Sequence, residues 1–199
     1  MDMNMVNIRP AKYSDVEEIG NLIYYTEVYP EDVWGGENKE ECLKNLINLI
    51  KIEESRYSYK YATVAEKDNK ILGAIITIPY EMLDKLSVKT DTKVIKHIDG
   101  IIGKLKYIRD SLAFMICREC KYGDLYIANI ATSKDARGLG IGKMLMSYAE
   151  KEAKKRKLKG ISLLEKDESV SKFYEKLNYK KTFDKEFCGE RIIKMAKFV

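Results

Sequence analysis

Short apolar runs alternate with amphipathic stretches along the second half of the chain. The run from Leu125 to Ala131 is almost entirely apolar, which is typical of a strand buried on both faces of a sheet. Apolar residues within 141–153 recur at helical spacing, and residues 161–164 form a second apolar run. Residues 170–177 carry another helical apolar face, followed by a hairpin over 181–198. This half therefore predicts strand, helix, strand, helix and hairpin.

The first half predicts a strand, two helices and a hairpin. The sequence Ser14-x-x-Glu17 has the spacing of a capping box, which indicates the start of a helix. Apolar residues within 43–50 then recur at helical spacing, and alternating apolar positions within 59–78 indicate a hairpin. A loop from Thr26 to Glu37, rich in acidic and aromatic residues, separates the two helices.

Residues 80–120 interrupt this alternation with a second helical pattern. Apolar residues from Val94 to Leu112 recur at alternating intervals of four and three, which predicts one helix of about 20 residues. Its place between two predicted strands makes it an insertion. The element order is that of one mixed domain, α/β with α+β character, over residues 1–199.

Composition and charge exclude several classes of protein. The 199 residues include 45% hydrophobic positions, which excludes a disordered chain. No apolar run approaches the ~20 residues of a membrane span and no signal-like segment opens the chain, so we expect a cytoplasmic protein without a membrane partner. The net charge of +5 is concentrated between Lys143 and Lys159, where seven basic residues face two acids. That pattern suits a compact polyanion better than nucleic acid.

The cysteines give little support to a metal site. Cys117 and Cys120 have the C-x-x-C spacing of half a zinc site, but Cys42 and Cys188 stand alone and the chain has one histidine, His97. We therefore expect ordinary thiols and no metal, with a functional Cys117/Cys120 pair as the open alternative.

A glycine-rich turn, Arg137-Gly-Leu-Gly-Ile-Gly142, joins the predicted strand to the next helix. Glycines at such a junction let backbone N–H groups approach a phosphate closely, and the helix start adds its positive dipole end. A nucleotide-binding P-loop fits poorly because Arg137 stands where its first glycine would be and Met144 replaces its Ser/Thr. The G-x-G-x-G spacing also departs from the dinucleotide fingerprint.

The spacing Arg137-x-x-Gly140-x-Gly142 resembles the pyrophosphate-binding motif of the GNAT family of N-acetyltransferases. Downstream, the segment from Phe173 to Tyr179 is similar to the family's F-Y-E-K-L-G-F pattern, with Asn178 in place of the glycine. The resemblance is strongest over residues 122–181. It implies a GNAT fold: a twisted, mixed but mostly antiparallel sheet of about six to seven strands flanked by helices, with a helical insertion between strands 3 and 4.

The resemblance also implies roles for particular residues. The backbone at Ile130–Thr132 would position the acetyl group of acetyl-CoA, and Tyr174 would be the general acid. The position of an asparagine that contacts the cofactor arm in the family is Asp167 here, which cannot donate as an amide does. The expected cofactor-binding residues are Ile130, Ala131, Thr132, Arg137, Gly138, Leu139, Gly140, Ile141, Gly142, Lys143 and Asp167.

The function implied is acetyl-CoA-dependent N-acetylation of a primary amine, most simply that of a small molecule, with a protein amine as an open possibility. The alternative is a module that senses acyl-CoA or binds a partner without turnover. A loop that carries Glu27, Tyr29, Glu31 and Trp34 would suit a cationic acceptor. The alternative is a solvated acidic loop anchored by one tryptophan. The insertion could cover that pocket or form a homodimer interface. The general base stays open among Glu27, Glu31, Glu81, Asp84 and His97.

Overall fold

A computed structural model describes residues 6–165, 168–187 and 190–199. Their strands are β1 (Asn7–Pro10), β2 (Ala62–Lys67), β3 (Lys70–Pro79), β4 (Asp124–Thr132), β5 (Gly160–Glu165), β6 (Lys180–Phe187) and β7 (Glu190–Phe198). They form one sheet in the order β1-β2-β3-β4-β5-β7-β6. Neighbours are antiparallel except β4 and β5, which run parallel. The predicted mixed, mostly antiparallel sheet of six to seven strands is confirmed.

Seven α-helices surround the sheet in the part of the chain that the structure describes. They are α1 (Val16–Ile23), α2 (Pro30–Trp34), α3 (Lys39–Lys51), α4 (Tyr80–Val94), α5 (Gly100–Cys117), α6 (Ile141–Lys155) and α7 (Glu168–Glu175). The start of α1 differs from the predicted capping box. A 3-10 turn over Tyr13–Asp15 precedes the helix, and the Asp15 carboxylate accepts the Lys12 N–H at 2.7 Å.

The sheet separates two apolar cores, and two adjacent residues of β3 pack into different cores. Ile76 packs on the face covered by α1 and α3, where Ile19 and Leu46 are fully buried. Ile75 packs on the opposite face with Leu145 of α6. Successive side chains of a strand point to opposite faces, so a strand with apolar residues at both positions is buried on both sides.

The insertion between β3 and β4 contains two helices, so the prediction of a single helix from Val94 to Leu112 is wrong. Val94 ends α4 and is buried in the core, whereas the residues after it belong to a turn and to α5. Gly100 starts α5 with φ of +65°, a conformation that glycine adopts readily and that breaks the helical path. The apolar repeat therefore runs from the end of α4 through a turn into α5, which are separate elements.

The outer face of α5 is apolar and exposed. Ile101, Ile102, Leu105 and Leu112 are between 53% and 81% exposed. The opposite face carries Tyr107 and other polar residues towards the body of the protein. The amphipathic pattern of α5 is thus reversed relative to that of an ordinary surface helix.

Candidate active site

β4 diverges from β5 partway along its length, which opens the sheet. In the described part of the chain, β4 pairs with β5 only through residues 124–127. β3, on the other side, follows β4 as far as Thr132. A register shift places one extra β4 residue, Ala128, in this stretch, and such a bulge bends a strand. One edge of residues 128–132 therefore faces a gap instead of a neighbouring strand.

The backbone of this free edge presents donors and acceptors to the gap. Ser133 N–H donates to the carbonyl oxygen of Leu72 at 2.8 Å, which marks a hydrogen-bonded pair of the ladder. Hydrogen-bonded and non-hydrogen-bonded positions alternate along an antiparallel pair, so Ile130 and Thr132 turn their N–H and C=O groups away from β3. Those groups face the gap, while Ala131 pairs with Ala74.

The glycine-rich turn follows the free edge and ends at the first residue of α6. Gly138 and Gly140 both have φ of +78°, where a side chain would cost about 1–2 kcal/mol. A Cβ atom added at Gly138 would meet no heavy atom within 4 Å. Gly140 caps α6 without a side-chain hydrogen bond, so the first N–H groups of the helix are left for another partner. Backbone of this kind suits an anion such as phosphate.

A cavity of about 1860 Å³ lies beside the gap and extends beneath the insertion. Its walls include the free edge of β4, the end of β5, the segment from Tyr25 to Gly36, and the polar faces of α4 and α5. Of the predicted cofactor residues, Ile130, Ala131, Thr132 and Arg137 line it. Gly138, Leu139, Gly140, Ile141, Gly142 and Lys143 adjoin it in sequence but are not among the described residues on its wall.

Tyr174 lies on the wall of the same cavity with 5% of its surface exposed. Its ring packs edge-on against Phe173 and Tyr179, at centroid distances of 5.1 Å and 6.0 Å. Burial, and to a smaller extent the charge of Glu165, raises the pKa of Tyr174 above its ordinary value. The phenol therefore keeps its proton at neutral pH and has one to donate.

The predicted acceptor residues divide between the cavity and the core. Glu27, Tyr29 and Glu31 line the cavity. Trp34 does not: its side chain is fully buried, with its ring 6.0 Å from that of Tyr57. Trp34 ends the short helix α2, which directs the largest apolar side chain of the loop inwards. Its expected contact with an acceptor is therefore corrected to a core-packing role.

The base candidates divide in the same way. Glu81 and Asp84 are exposed on α4 and do not line the cavity in the described part of the chain. Glu27, Glu31 and His97 do line it. The cavity therefore favours these three over the two carboxylates of α4.

The sequence did not indicate a buried ionic group at the far end of the cavity. Arg56 donates to both carboxylate oxygens of Glu119, and the Tyr126 hydroxyl donates to Glu119 Oε2 at 2.6 Å. Burial alone would lower the pKa of Arg56, but the Glu119 charge outweighs it and keeps the guanidinium protonated. Residues this far apart in sequence carry no local pattern that reveals such a pair.

A second polar pair joins the two helices of the insertion across the same cavity. The Tyr107 hydroxyl of α5 donates to Asp91 Oδ1 of α4 at 2.8 Å. Burial raises the pKa of Asp91, although the hydrogen bond from Tyr107 and the Arg56 charge oppose that rise. The only sequence signal for this pair was the polar face opposite the apolar repeat of α5.

Other predicted features fall outside the site or outside the described residues. Asp167, Cys188 and the side chain of Cys117 lie outside the described part of the chain. Cys120 is buried, which raises the pKa of its thiol to about 12. No group of three or more His, Cys, Asp or Glu residues suited to a metal occurs among the described residues. Among those residues, no helix has the length and apolarity needed to cross a bilayer.

The Acetyltransferase (GNAT) domain matches residues 58–181, more than half of the chain. Among solved structures, an N-acetyltransferase from Staphylococcus aureus Mu50 is 22% identical, with a TM-score of 0.71 over 96% of this chain and 100% of that one. A Drosophila melanogaster polyamine N-acetyltransferase is 12% identical, with a TM-score of 0.62 over 98% of this chain and 100% of that one. Comparison with curated proteins gives no significant match.

The diverging strands, the glycine turn at the start of α6 and the cavity beside them accompany this domain match, which identifies an acyl-group-transferring enzyme. The chain belongs to the GNAT family of acetyltransferases, as the domain match shows, and it is an acetyl-transferring enzyme. At these identities the solved structures show the fold, and their acceptors do not carry over.

Proposed function

We propose that this protein transfers the acetyl group of acetyl-CoA directly to a primary amine of a small molecule. The observation that carries the proposal is one cavity that is lined by the free edge of β4, by Tyr174 and by the helices of the insertion. A cavity of this kind suits a small acceptor that enters whole. A protein amine would have to reach the same point on an extended chain end.

The residues present fit acetyl-CoA. Its pyrophosphate would be held by the backbone from Arg137 to Lys143, where two glycines have positive φ, space is open at Gly138 and the N–H groups of α6 begin. The guanidinium of Arg137 would add a charge-assisted hydrogen bond. The cosubstrate supplies the activated acetyl thioester. The family motif remains the basis for assigning a cofactor contact to Asp167.

Three groups of this chain would then serve the transfer. The Thr132 N–H faces the gap and would orient the acetyl carbonyl, since a preorganised backbone donor stabilises charge that develops on oxygen. Tyr174 would give its proton to the departing thiolate. An alkyl amine is mostly protonated at pH 7, so the acceptor also has to lose a proton. Glu27, half-buried on the cavity wall, is our candidate for receiving it through water.

A homodimer and a cytoplasmic location are further parts of this proposal. The exposed apolar residues Ile101, Leu105 and Leu112 on the outer face of α5 support a contact with a second copy. Sedimentation velocity at two protein concentrations tests the dimer, and cell fractionation tests the location. We expect no nucleic-acid partner, because the basic excess is local.

The test of the proposed function is thiol release from acetyl-CoA over a panel of small amines and N-terminal peptides. Thermal shifts with acetyl-CoA alone run in parallel, since ligand at 100 times its Kd adds about 2.7 kcal/mol to stability. Release that depends on a small amine supports the proposal. Stabilisation without release favours the alternative, an acyl-CoA-sensing module, and release with peptides alone points to a protein acceptor.

A further inference from the structure

The far end of the cavity is built for a positive charge. Arg56, Glu119 and Asp91 lie close enough there for their charges to interact. Arg56 donates to both carboxylate oxygens of Glu119 and also to Ser87 Oγ at 3.3 Å. Arg56 and Glu119 form an ion pair, and the carboxylate of Asp91 lies beside them on the cavity wall. A carboxylate removed from water is stabilised by a cation more strongly than an exposed one.

Asp91 is held in place by the helix opposite. Tyr107 donates to its Oδ1 at 2.8 Å, and Ser111 lies one turn further along α5. All three residues line the cavity. The second carboxylate oxygen of Asp91 and its remaining lone pairs leave capacity for a further donor.

The distance between this end and the free edge of β4 indicates the length of a ligand that would reach both. Tyr126, which hydrogen-bonds to Glu119, and Ile130, whose backbone faces the gap, are four residues apart on β4. At ~3.3 Å per residue, this separation is about 13 Å. A ligand with its reacting amine beside Ile130 and a second cation near Asp91 would therefore be an extended chain.

We propose that Asp91 is the specificity-determining residue that binds the distal ammonium group of a linear aliphatic diamine or polyamine acceptor, with Tyr107 as its positioning residue. This inference rests on the proposed function and deepens it. The first amine of the acceptor receives the acetyl group, and the second stays protonated and forms an ion pair with Asp91. A monoamine of equal length leaves that carboxylate desolvated and without a cation of the ligand beside it.

The experiment compares octane-1,8-diamine with octylamine as acceptors, by thiol release from acetyl-CoA. We expect kcat/KM to be at least tenfold higher for the diamine in the unmodified enzyme. In Asp91→Asn the ratio of the two values should fall at least tenfold, mainly through the KM of the diamine. Asp84→Asn removes the same charge from the exposed side of the same helix and should keep the ratio.

Tyr107→Phe gives a second variant that keeps the shape of the wall. It should raise the KM for the diamine several-fold with kcat nearly unchanged, because Asp91 is still present but no longer fixed. Equal kcat/KM values for the two amines in the unmodified enzyme, or an unchanged ratio in Asp91→Asn, would overturn the inference while leaving the proposed function intact. Absence of release with every small amine would overturn both.

Discussion

Arg56 and Glu119, 63 residues apart, form two parallel hydrogen bonds at the far end of the cavity, from Nη1 to Oε1 at 3.1 Å and from Nη2 to Oε2 at 2.8 Å. The pair joins the segment between α3 and β2 to the segment between α5 and β4, and Tyr126 of β4 donates to the same carboxylate. Burial alone would raise the pKa of Glu119, but the charge and hydrogen bonds of Arg56 outweigh it and hold that pKa below its ordinary value.

Removal of one partner of this pair should destabilise the fold strongly. We expect Arg56→Met to lower the free energy of unfolding by about 3–5 kcal/mol, because it leaves the Glu119 carboxylate buried without its counter-ion. Urea unfolding at pH 7 measures this. The double variant Arg56→Met/Glu119→Leu should recover most of the loss. Lys60→Met, which breaks an exposed pair with Glu53, serves as the control and should leave the urea midpoint in place. A single variant as stable as the parent would contradict the argument.

The same pair predicts how stability depends on pH. The pKa of Glu119 is lowered on folding, so its contribution is fully present above the ordinary value of 4.5 and is lost as pH falls through the folded pKa. The parent protein and Glu119→Gln should therefore differ most in stability at neutral pH and converge in acid. Urea unfolding at several pH values between 7 and 3 measures the difference. A difference that is constant across this range would exclude the assignment.

The sequence predicted the sheet and the position of the glycine turn before α6, because both depend on local patterns. The first half of the run from Leu125 to Ala131 is buried between its neighbours in the sheet, and its second half lines the cavity. The turn from Arg137 to Gly142 uses glycines at positive φ where a ligand is expected. In each case the sequence pattern lies within a dozen residues. The structure confirms the predicted element and adds its backbone conformation and its neighbours.

The acceptor half of the cavity could not be predicted in this way. The pairs Arg56–Glu119 and Asp91–Tyr107 join residues from separate elements, and no periodicity connects them. The sequence left Trp34 open between an acceptor contact and an anchor, because an aromatic residue in an acidic loop looks the same in sequence whether its ring points to solvent or to the core. The direction of α2 decides that question, and it depends on packing against α3 and the insertion.

The phenol of Tyr174 is expected to matter for turnover and little for cofactor binding. Tyr174→Phe keeps the ring and its edge-on contacts but removes the proton that we assign to the departing thiolate, so kcat should fall well over tenfold. Isothermal titration with acetyl-CoA should give a nearly unchanged Kd. Tyr179→Phe is the matched control, since that tyrosine is equally buried and touches Tyr174 but does not line the cavity in the described structure. Unchanged kcat in Tyr174→Phe would eliminate the acid role.

Alanine substitutions at two glycines of similar conformation distinguish the effect of backbone strain from an effect on ligand binding. Gly138 has φ of +78° and Gly100 has φ of +65°, and a Cβ atom at either would meet nothing within 4 Å. Alanine at each should cost about 1–2 kcal/mol of stability through the left-handed backbone alone. Only Gly138→Ala should also weaken acetyl-CoA binding, by tenfold or more, because its methyl group would occupy the phosphate cradle. Equal cofactor affinities in the two variants would show that the turn does not bind the cofactor.

Trp34 and Tyr29 lie five residues apart but should respond to substitution in opposite ways. Trp34 is fully buried, so Trp34→Ala should lower the free energy of unfolding by about 3–5 kcal/mol, and Trp34→Phe by less, because a smaller cavity remains. Tyr29 is 61% exposed on the cavity wall, so Tyr29→Ala should leave stability nearly unchanged and raise the KM for the amine. Urea unfolding and steady-state kinetics on all three variants distinguish the roles. If Trp34→Phe were as stable as the parent but selective for different amines, Trp34 would belong to the acceptor site after all.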